Sequence, residues 1–365
     1  MQQKTVENVL KLGYINNTIT FKLKGVSVMV SMKDISVACN VSIATVSKAL
    51  NDYSDIGTET KEHIRQVAKE LGYFPNSAAK ALKTNKTKNI GVLFVDESRS
   101  GLTHDHYSYI LDSFKLTAEK KGYDITFINS NKTRPSRMSY LENCKYRGFD
   151  GVAIACVDFH DPEVLELIQS DIPVVTIDHM FNERIAIMSN NIQGMHDLVS
   201  YIADRGHKKI AYIHGLDSAV TQSRLSSFFL TCEERGIEVP DEYVVEAPYR
   251  DTESAREVTT QLLQLPDPPT CIIYPDDFSA LGGYSAVKQM GLRIPEDISI
   301  AGYDGIRLSR HIEPRLTTLR QDTQKIGKLA AEKLIGLIEK PKTTLHEHVV
   351  VDGEVYVGES VSSMK

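Results

Sequence analysis

Apolar residues recur at helical spacing in three short stretches near the N-terminus. The first two stretches, 32–39 and 43–50, are separated by the turn sequence Asn-Val-Ser, which predicts Ser42 as the N-cap of the second helix. A third helix is predicted from Thr58, as its cap, to Gly72. Three short helices with a tight turn between the first two are typical of a helix-turn-helix unit, whose second helix lies in the major groove of DNA.

The same spacing separates inward from outward positions on these helices. The predicted core positions are Ile35, Ala38, Cys39, Val46, Ala49, Leu50, Ile64, Val67, Ala68 and Leu71. The positions of the second helix left free to face a partner are Ile43, Ala44, Ser47 and Lys48.

From Asn89 onward the pattern changes to short apolar runs that alternate with amphipathic stretches. This alternation is typical of parallel sheets with helical crossovers, and the runs form two successive α/β units of similar size. Strands are predicted at 90–95, 123–128, 151–156, 173–177, 210–214, 242–246, 271–274, 298–302 and 355–357. Helices are predicted within the first unit at about 107–121 and 138–146.

The length of the chain and the distribution of its charge indicate more than one domain. The 365 residues predict two or three domains, and the chain has a net charge of −6. Residues 29–88 contain nine Lys or Arg and six Asp or Glu, a net charge of +3, and residues 1–28 are also +3, which leaves −12 for 89–365. A basic head on an acidic body suits a protein whose head alone meets phosphate, although +3 over sixty residues also fits ordinary surface scatter.

Composition predicts a cytoplasmic protein. No run of about eighteen apolar residues occurs, and residues 1–25 lack the apolar core of a secretory signal. The five cysteines have no paired spacing such as C-x-x-C, which argues against disulfides and a zinc site and for a reducing compartment.

Four sequence blocks follow one another in the first part of the chain: V-S-I-A-T-V-S-K-A-L-N at 41–51, T-x-x-x-I at 60–64, L-G-Y-F-P-N at 71–76 and A-A-K-A-L-K at 78–83. In this order they resemble the LacI family of bacterial transcription repressors. The resemblance implies a helix-turn-helix head, a hinge that becomes helical on operator DNA, and a two-lobed effector domain of the periplasmic-binding-protein type I fold. It also implies a homodimer on a pseudo-palindromic operator, with Leu82 wedged into the minor groove.

The expected boundaries follow from the blocks and the strand pattern. We expect 1–28 to be a non-native or disordered extension, with Met29 or Met32 as the native start, or else a mobile basic arm. The other parts are the head at 29–74, hinge helix and linker at 75–88, and effector domain at 89–365, with lobe 1 at about 89–189 and 323–349 and lobe 2 at about 190–320 and 350–365. Crossovers between the lobes are expected near 189–192, 319–323 and 347–352.

The resemblance also predicts which residues contact DNA. They are Ser42, Ile43, Ala44, Thr45, Ser47, Lys48, Asn51, Tyr73, Asn76, Ala79, Leu82 and Lys83. Ile43 and Ala44 suit thymine methyl groups, and Lys48 can donate to guanine O6 or N7 or, alternatively, contact phosphate.

Polar residues that follow the predicted strands of the effector domain are candidates for ligand binding, since ligands bind at the carboxyl ends of parallel strands. By resemblance, Arg224, Asp276 and Asp304 bind sugar hydroxyls, whereas Asp277 caps the following helix. Asp304 also fits a turn aspartate before Gly305. The further candidates are Tyr107 and Tyr249, for stacking on a sugar ring in a chain without Trp, and Asp96 and Asp158.

Other chemistry has little support. The triplet His104-Asp105-His106 lacks a further metal ligand at a telling spacing, and no nucleophile elbow, P-loop or G-x-G-x-x-G follows a strand, so we expect no metal, no cofactor and no enzyme. The leading hypothesis is a cytoplasmic repressor of carbohydrate-use genes that responds to a sugar or sugar derivative. One alternative is a sugar-binding receptor without DNA function. The other is a regulator that responds to a non-sugar effector such as a purine.

Overall fold

The fold is taken from a computed structural model that describes residues 30–75, 86–96, 101–129 and 138–364, with single positions at 14–15, 18–19, 81 and 84. Most of 1–28 therefore lies outside the described residues. So do four residues expected to contact DNA, namely Asn76, Ala79, Leu82 and Lys83. The chain divides into two compact units, Met1–Lys83 and Thr84–Lys365.

In the first unit, residues 14–19 form a two-stranded antiparallel pair and residues 30–75 form three helices. The strands are β1 (Tyr14–Ile15) and β2 (Thr18–Ile19), and the helices are α1 (Met32–Ala38), α2 (Ile43–Leu50) and α3 (Thr58–Glu70). Ser42 caps α2 as predicted, because its hydroxyl accepts from the Thr45 N–H at 3.0 Å. The buried core consists of Ile35, Val46, Ala49, Ile64 and Ala68.

Two details of the head differ from the sequence prediction. Ala38 is exposed, whereas Met32 and Cys39, at the two ends of α1, both pack against the core. The N-cap of α3 is Gly57, with Thr58 already in the helix, so Thr58 is not the cap.

The second unit contains two six-stranded sheets covered by helices. Its strands are β3 (Asn89–Phe94), β4 (Asp124–Phe127), β5 (Gly151–Ala155), β6 (Val174–Ile177), β7 (Ile185–Ser189), β8 (Ile210–His214), β9 (Val244–Glu246), β10 (Cys271–Ile273), β11 (Ser299–Asp304), β12 (Thr317–Arg320), β13 (His348–Val351) and β14 (Glu354–Tyr356). Its helices are α4 (Asp105–Lys120), α5 (Tyr140–Arg147), α6 (Pro162–Gln169), α7 (Asn191–Asp204), α8 (Ala219–Glu234), α9 (Thr252–Leu263), α10 (Asp277–Gln289) and α11 (Thr323–Glu339).

The two sheets define two lobes. Lobe 1 has the strand order β13-β7-β6-β5-β3-β4, and lobe 2 has the order β14-β12-β11-β10-β8-β9. All pairs are parallel except β12 with β14. The carboxyl ends of the parallel strands within each sheet therefore share one edge, which positions the candidate site.

Strands β3, β5, β6, β10 and β11 are buried along most or all of their length, because helices cover both faces of these sheets. The strand expected at 242–246 begins only at Val244. Residues Asp241–Tyr243 form a 3-10 turn instead, and the Tyr243 hydroxyl donates to the Asp267 carbonyl at 2.6 Å.

The chain passes between the lobes three times. These passages follow Ser189, Arg320 and Val351, where one sheet ends and an element of the other lobe begins. The third passage falls within the stretch 347–352 where a crossover was expected, two residues after the approximate lobe boundary at 349, because β13 pairs with β7 of lobe 1 as far as Val351.

No helix in the described ranges combines the length and the apolar character that crossing a bilayer requires.

Candidate functional site

The outward face of α2 is an exposed surface in the first unit. Val46 and Ala49 are buried against the other helices, whereas Ile43 is 49% exposed and Ala44 and Lys48 are exposed. Ser47 is half-buried. The exposed apolar side chain of Ile43 can be buried only if a binding partner covers this face of α2.

Several polar side chains of this region are engaged in local contacts. The hydroxyls of Ser42 and Thr45 lie 2.8 Å apart, and the Asn51 amide donates to the Ser47 carbonyl at 2.7 Å. Tyr73 packs against the head core rather than standing free. These contacts fix the ends of α2.

The Lys48 ammonium forms an ion pair with Asp55. Both side chains are about half exposed, and the hydrogen bond from Lys48 lowers the pKa of the Asp55 carboxyl. Lys48 must therefore leave Asp55, or share it, in order to contact a base.

In the second unit, Arg224 is the most buried of the predicted effector residues apart from Asp276. Its side chain lies on α8 and is 4% exposed. Its Nε donates to Asn191 Oδ1 at 2.8 Å, and its Nη1 donates to the Pro275 carbonyl at 2.9 Å. The guanidinium carbon lies 3.6 Å from the centre of the Tyr303 ring. These contacts hold the cation rigidly, and its Nη2 lies 3.9 Å from Asp304 Oδ1.

The helix cap expected at Asp277 is formed by the adjacent residue Asp276 instead. Asp276 caps α10, since its carboxylate accepts from the Ser279 N–H at 2.8 Å and from the Arg250 N–H at 2.9 Å. Burial raises its pKa.

Asp277 is structural but caps no helix, contrary to the prediction. Its carboxylate accepts from the Ile306 N–H at 2.8 Å and the Thr318 hydroxyl at 2.5 Å, which ties the first turn of α10 to the segments after β11 and in β12. Burial raises the pKa of Asp277 well above its usual value.

Asp304 stands at the end of β11 with a positive φ of 99°. Its Oδ1 accepts from the Gln321 amide at 2.6 Å and lies 4.0 Å from His106 Nδ1 of lobe 1. A non-glycine residue in this backbone region is strained, which is typical of sites that fix a functional side chain. Asp304, Arg224 and His106 thus come together between the lobes.

The two predicted aromatic residues lie near this group. Tyr107 packs edge-on against His104 and His106, with ring centres 4.9 and 5.1 Å apart. The Tyr249 hydroxyl lies 2.9 Å from the Thr221 hydroxyl, and burial raises the pKa of Tyr249. Neither ring is fully exposed for stacking.

The remaining candidates, Asp96 and Asp158, differ in position. Asp96 is half-buried after β3 and accepts from the Gly101 N–H at 3.0 Å. Asp158 is exposed and accepts from the His160 N–H within its own loop.

Sequence reasoning missed several residues of this site. Arg250 follows β9 and Asp178 follows β6, so the strand-end rule that selected the other candidates would have found both. The Arg250 guanidinium lies 3.2 Å from Asp105 of lobe 1, and Asp178 accepts from the Ser189 N–H at 2.8 Å. Asn191 carried no signal of this kind, because it begins a helix after a crossover.

Buried polar atoms without a hydrogen-bond partner collect around the same group. Among the described residues they include His104 Nδ1, His106 Nδ1, Tyr212 OH, Tyr303 OH and Gln321 Oε1. Burial lowers the pKa of His104 and that of His106 to about 4, so both imidazoles are neutral near pH 7. Buried groups of this kind are rare in folded proteins and point to a polar ligand or ordered water.

A cavity of about 860 Å³ extends from Asp304 and His106 to two of the crossover segments, those that follow Arg320 and Val351. It has room for a small ligand, since ligand pockets are typically of about 300 to 1,000 Å³. The cavity borders the connections that would move if the lobes rotated.

Comparisons with known proteins agree with this architecture. Residues 31–76 match the family model for bacterial regulatory proteins of the lacI family, and residues 199–361 match a periplasmic binding protein-like domain. The probable HTH-type transcriptional repressor ExuR of Bacillus subtilis (strain 168) is 32% identical over 91% of this chain and 98% of its own length.

Two solved structures share the fold. The lac repressor dimer bound to operator and the anti-inducer ONPF has a TM-score of 0.77 at 24% identity and covers 92% of this chain and 99% of its own. A complex of the transcriptional regulator CelR with cellobiose has a TM-score of 0.66 at 22% identity and covers 90% of this chain and 99% of its own. By its identity to ExuR over nearly all of both chains, the present chain belongs to the LacI family of bacterial regulatory proteins.

Proposed function

We propose that the protein is a ligand-responsive transcription repressor that acts in the cytoplasm as a homodimer on a pseudo-palindromic operator. The observation that carries this proposal is the outward face of α2, where Ile43, Ala44 and Lys48 stand exposed on a helix whose other side is the core of the head. A helix of this kind fits the major groove, where apolar side chains contact thymine methyl groups. The proposal involves no catalytic step.

The hinge part of the proposal rests on the family resemblance alone. We propose that Leu82 enters the minor groove and that Asn76, Ala79 and Lys83 also contact DNA. Replacing Leu82 by Ala should then weaken operator binding without changing ligand binding.

The effector in this proposal is a sugar or sugar derivative bound between the lobes. Arg224 supplies a fixed fork of donors, Asp304 supplies an acceptor, and the orphaned groups at His106 and Tyr303 supply further hydrogen-bonding positions. Donors and acceptors interleaved in this way match a polyhydroxylated ligand. Tyr107 and Tyr249 form the aromatic walls, Asp96 lies at one margin, and Asp276 holds the segment before α10.

The response follows from linkage between the lobes. A ligand that contacts Arg224 on lobe 2 and His106 on lobe 1 stabilises the arrangement in which these groups are close, and shifts the population toward it. Because the three crossovers join the lobes, a rotation of one lobe changes the positions of two heads in a dimer and hence their fit to two half-sites.

Two measurements test the proposal. Fluorescence anisotropy with promoter fragments should give saturable binding that falls steeply with salt and depends on sequence. A thermal-shift screen of sugars, sugar acids, sugar phosphates and purines should find a compound that raises the melting temperature, and that compound should change DNA binding. Binding of equal strength to scrambled fragments would contradict sequence-specific regulation, and a purine as the sole effective compound would replace the sugar.

A further inference from the structure

Three potential metal ligands from separate segments lie together at the edge of lobe 1. Asp96 follows β3, His104 precedes α4 and Cys156 follows β5. One donor atom from each residue, a carboxylate oxygen, an imidazole nitrogen and the thiol sulfur, all lie within 4.8 Å of one another. The parallel order of β3 beside β5 brings these positions together although up to sixty residues separate them along the chain.

The local geometry of each residue favours a fixed donor. Cys156 has a positive φ of 53°, a backbone region that a non-glycine residue adopts at a cost and often at a functional position. The Nδ1 of His104 is buried without a hydrogen-bond partner. Asp96 is oriented by the Gly101 N–H, which donates to its Oδ2 at 3.0 Å, as outer hydrogen bonds orient carboxylate ligands in metal sites.

The donor set also identifies the class of ion. Nitrogen, thiolate and carboxylate donors together suit Zn²⁺ and similar divalent ions, whereas Ca²⁺ and Mg²⁺ prefer oxygen alone. Donors on a tetrahedral zinc ion lie roughly 3.3 to 3.6 Å apart, given bonds of about 2.0 to 2.3 Å. Small side-chain rotations therefore close the site from the separations seen here.

The cluster borders the candidate effector site. The His104 ring packs edge-on against Tyr107 at 4.9 Å, Tyr107 contacts His106, and His106 Nδ1 lies 4.0 Å from Asp304 of lobe 2. Three protein donors leave one position of a tetrahedral ion open, as in zinc sites that bind an exogenous ligand.

We propose that Asp96, His104 and Cys156 bind a divalent ion of the zinc class, with its open position available to an oxygen atom of water or of a ligand in the interlobe site. Ion binding does not depend on the proposed DNA function. Of the His104-Asp105-His106 triplet, for which no metal was expected from the sequence, His104 alone belongs to the cluster, and Asp105 pairs with Arg250.

Cobalt titration of the full chain tests this site. Co²⁺ bound by a thiolate gives an intense sulfur-to-cobalt absorption, so the wild-type protein should show that band at one equivalent per chain, and Zn²⁺ should displace it. Cys156→Gly removes the thiol and suits the positive φ, and it should abolish the band. Asp96→Asn and His104→Gln should weaken Co²⁺ binding at least about 100-fold, since even the loss of an outer-shell partner costs 10- to 100-fold.

Two variants serve as matched controls. Cys39→Ser removes a half-buried thiol of the head, and His160→Gln removes an exposed imidazole that lies beside Asp158 at the same edge of lobe 1. Both should bind Co²⁺ as the wild type does, and circular dichroism should show the fold of every variant. No thiolate band in the wild type, or a band that persists in folded Cys156→Gly, would overturn the proposal whatever the outcome of the DNA experiments.

Discussion

In the proposed function, Lys48 has two partners, Asp55 in the free head and DNA in the complex. Its ammonium is paired with Asp55 in the free head, and both groups are accessible to solvent, where an ion pair is weak. Operator DNA offers a guanine edge or a phosphate in place of that carboxylate. Affinity should therefore depend on Asp55 as well as on Lys48.

The first prediction concerns this pair. Lys48→Ala should weaken operator binding by about 1 to 3 kcal/mol, concentrated at one symmetric base position if Lys48 contacts guanine. Asp55→Asn should strengthen binding, because it releases Lys48 and removes a negative charge near DNA. Anisotropy titrations with a set of operator variants measure both effects. A loss of equal size at every variant would assign Lys48 to phosphate, and no gain from Asp55→Asn would show that the ion pair does not compete.

The second prediction concerns Arg224. Arg224→Ala should remove the ligand-induced thermal shift and also lower the stability of the second unit, because Asn191 Oδ1 and the Pro275 carbonyl lose their buried donor. Each unpaired buried acceptor costs about 1 to 3 kcal/mol. Differential scanning calorimetry with and without ligand measures both quantities. Arg235→Ala, at the exposed end of the same helix, is the control, and a full ligand response in Arg224→Ala would place the effector elsewhere.

At the scale of single residues, the sequence was a better guide to which residues lie at the site than to which groups they contact. Arg224 was selected from the family resemblance, and Asp304 from the resemblance and its position after a strand; the two do come together. Asp276 and Asp277 exchanged the capping role, because adjacent carboxylates differ only in which of them points along the helix and which points to a distant segment. Contacts such as that of Arg224 with Asn191 join residues 33 positions apart and leave no local pattern.

At the scale of elements, continuous apolar runs predicted the strands well because both faces of these parallel sheets are covered. The predicted stretches 210–214 and 151–156 differ from β8 and β5 by at most one residue. The error at 242–246 arose where a hydrogen bond from the Tyr243 side chain stabilises a turn, which an apolar pattern does not encode. Helix ends that depend on a cap, such as Gly57 before α3, were also misplaced by one residue.

The third prediction tests how tightly α7 packs after the first crossover. Gly194 lies in this helix, where a Cβ atom would come within 2.3 Å of Leu319 Cδ2 and 2.5 Å of the Tyr303 hydroxyl. Gly194→Ala improves helix propensity by about 1 kcal/mol but overfills this space, and we expect a net loss of about 1 to 3 kcal/mol in the free energy of unfolding. Chemical denaturation measures it. The exposed neighbour Gln193→Ala should change stability far less, and a stabilised Gly194→Ala would show that Leu319 moves freely.

At the scale of the whole molecule, a regulator of this family depends on a DNA-binding head and an effector-binding unit that act together. The head provides the face that meets DNA, and the second unit provides lobes joined by three crossovers around a polar site. One polar contact that crosses from one lobe to the other near the ligand groups is the ion pair between Arg250 of lobe 2 and Asp105 at the start of α4 in lobe 1.

The last prediction concerns this ion pair. Arg250 is largely buried and Asp105 is 40% exposed, so the pair contributes modestly. Because it joins the two lobes, we expect it to break when the lobes separate. The proposed ligand binds the arrangement in which the lobes are close. A contact that stabilises this arrangement raises its population in the free protein and therefore raises the apparent affinity for the ligand. Asp105→Asn should therefore weaken effector binding by about 3- to 10-fold, the equivalent of roughly 0.7 to 1.4 kcal/mol, as measured by calorimetric titration. Asp112→Asn removes the same charge from an exposed position on α4 and should leave the affinity unchanged. Equal affinities in the two variants would mean that the ion pair persists, or is absent, in both arrangements of the lobes and does not report their closure.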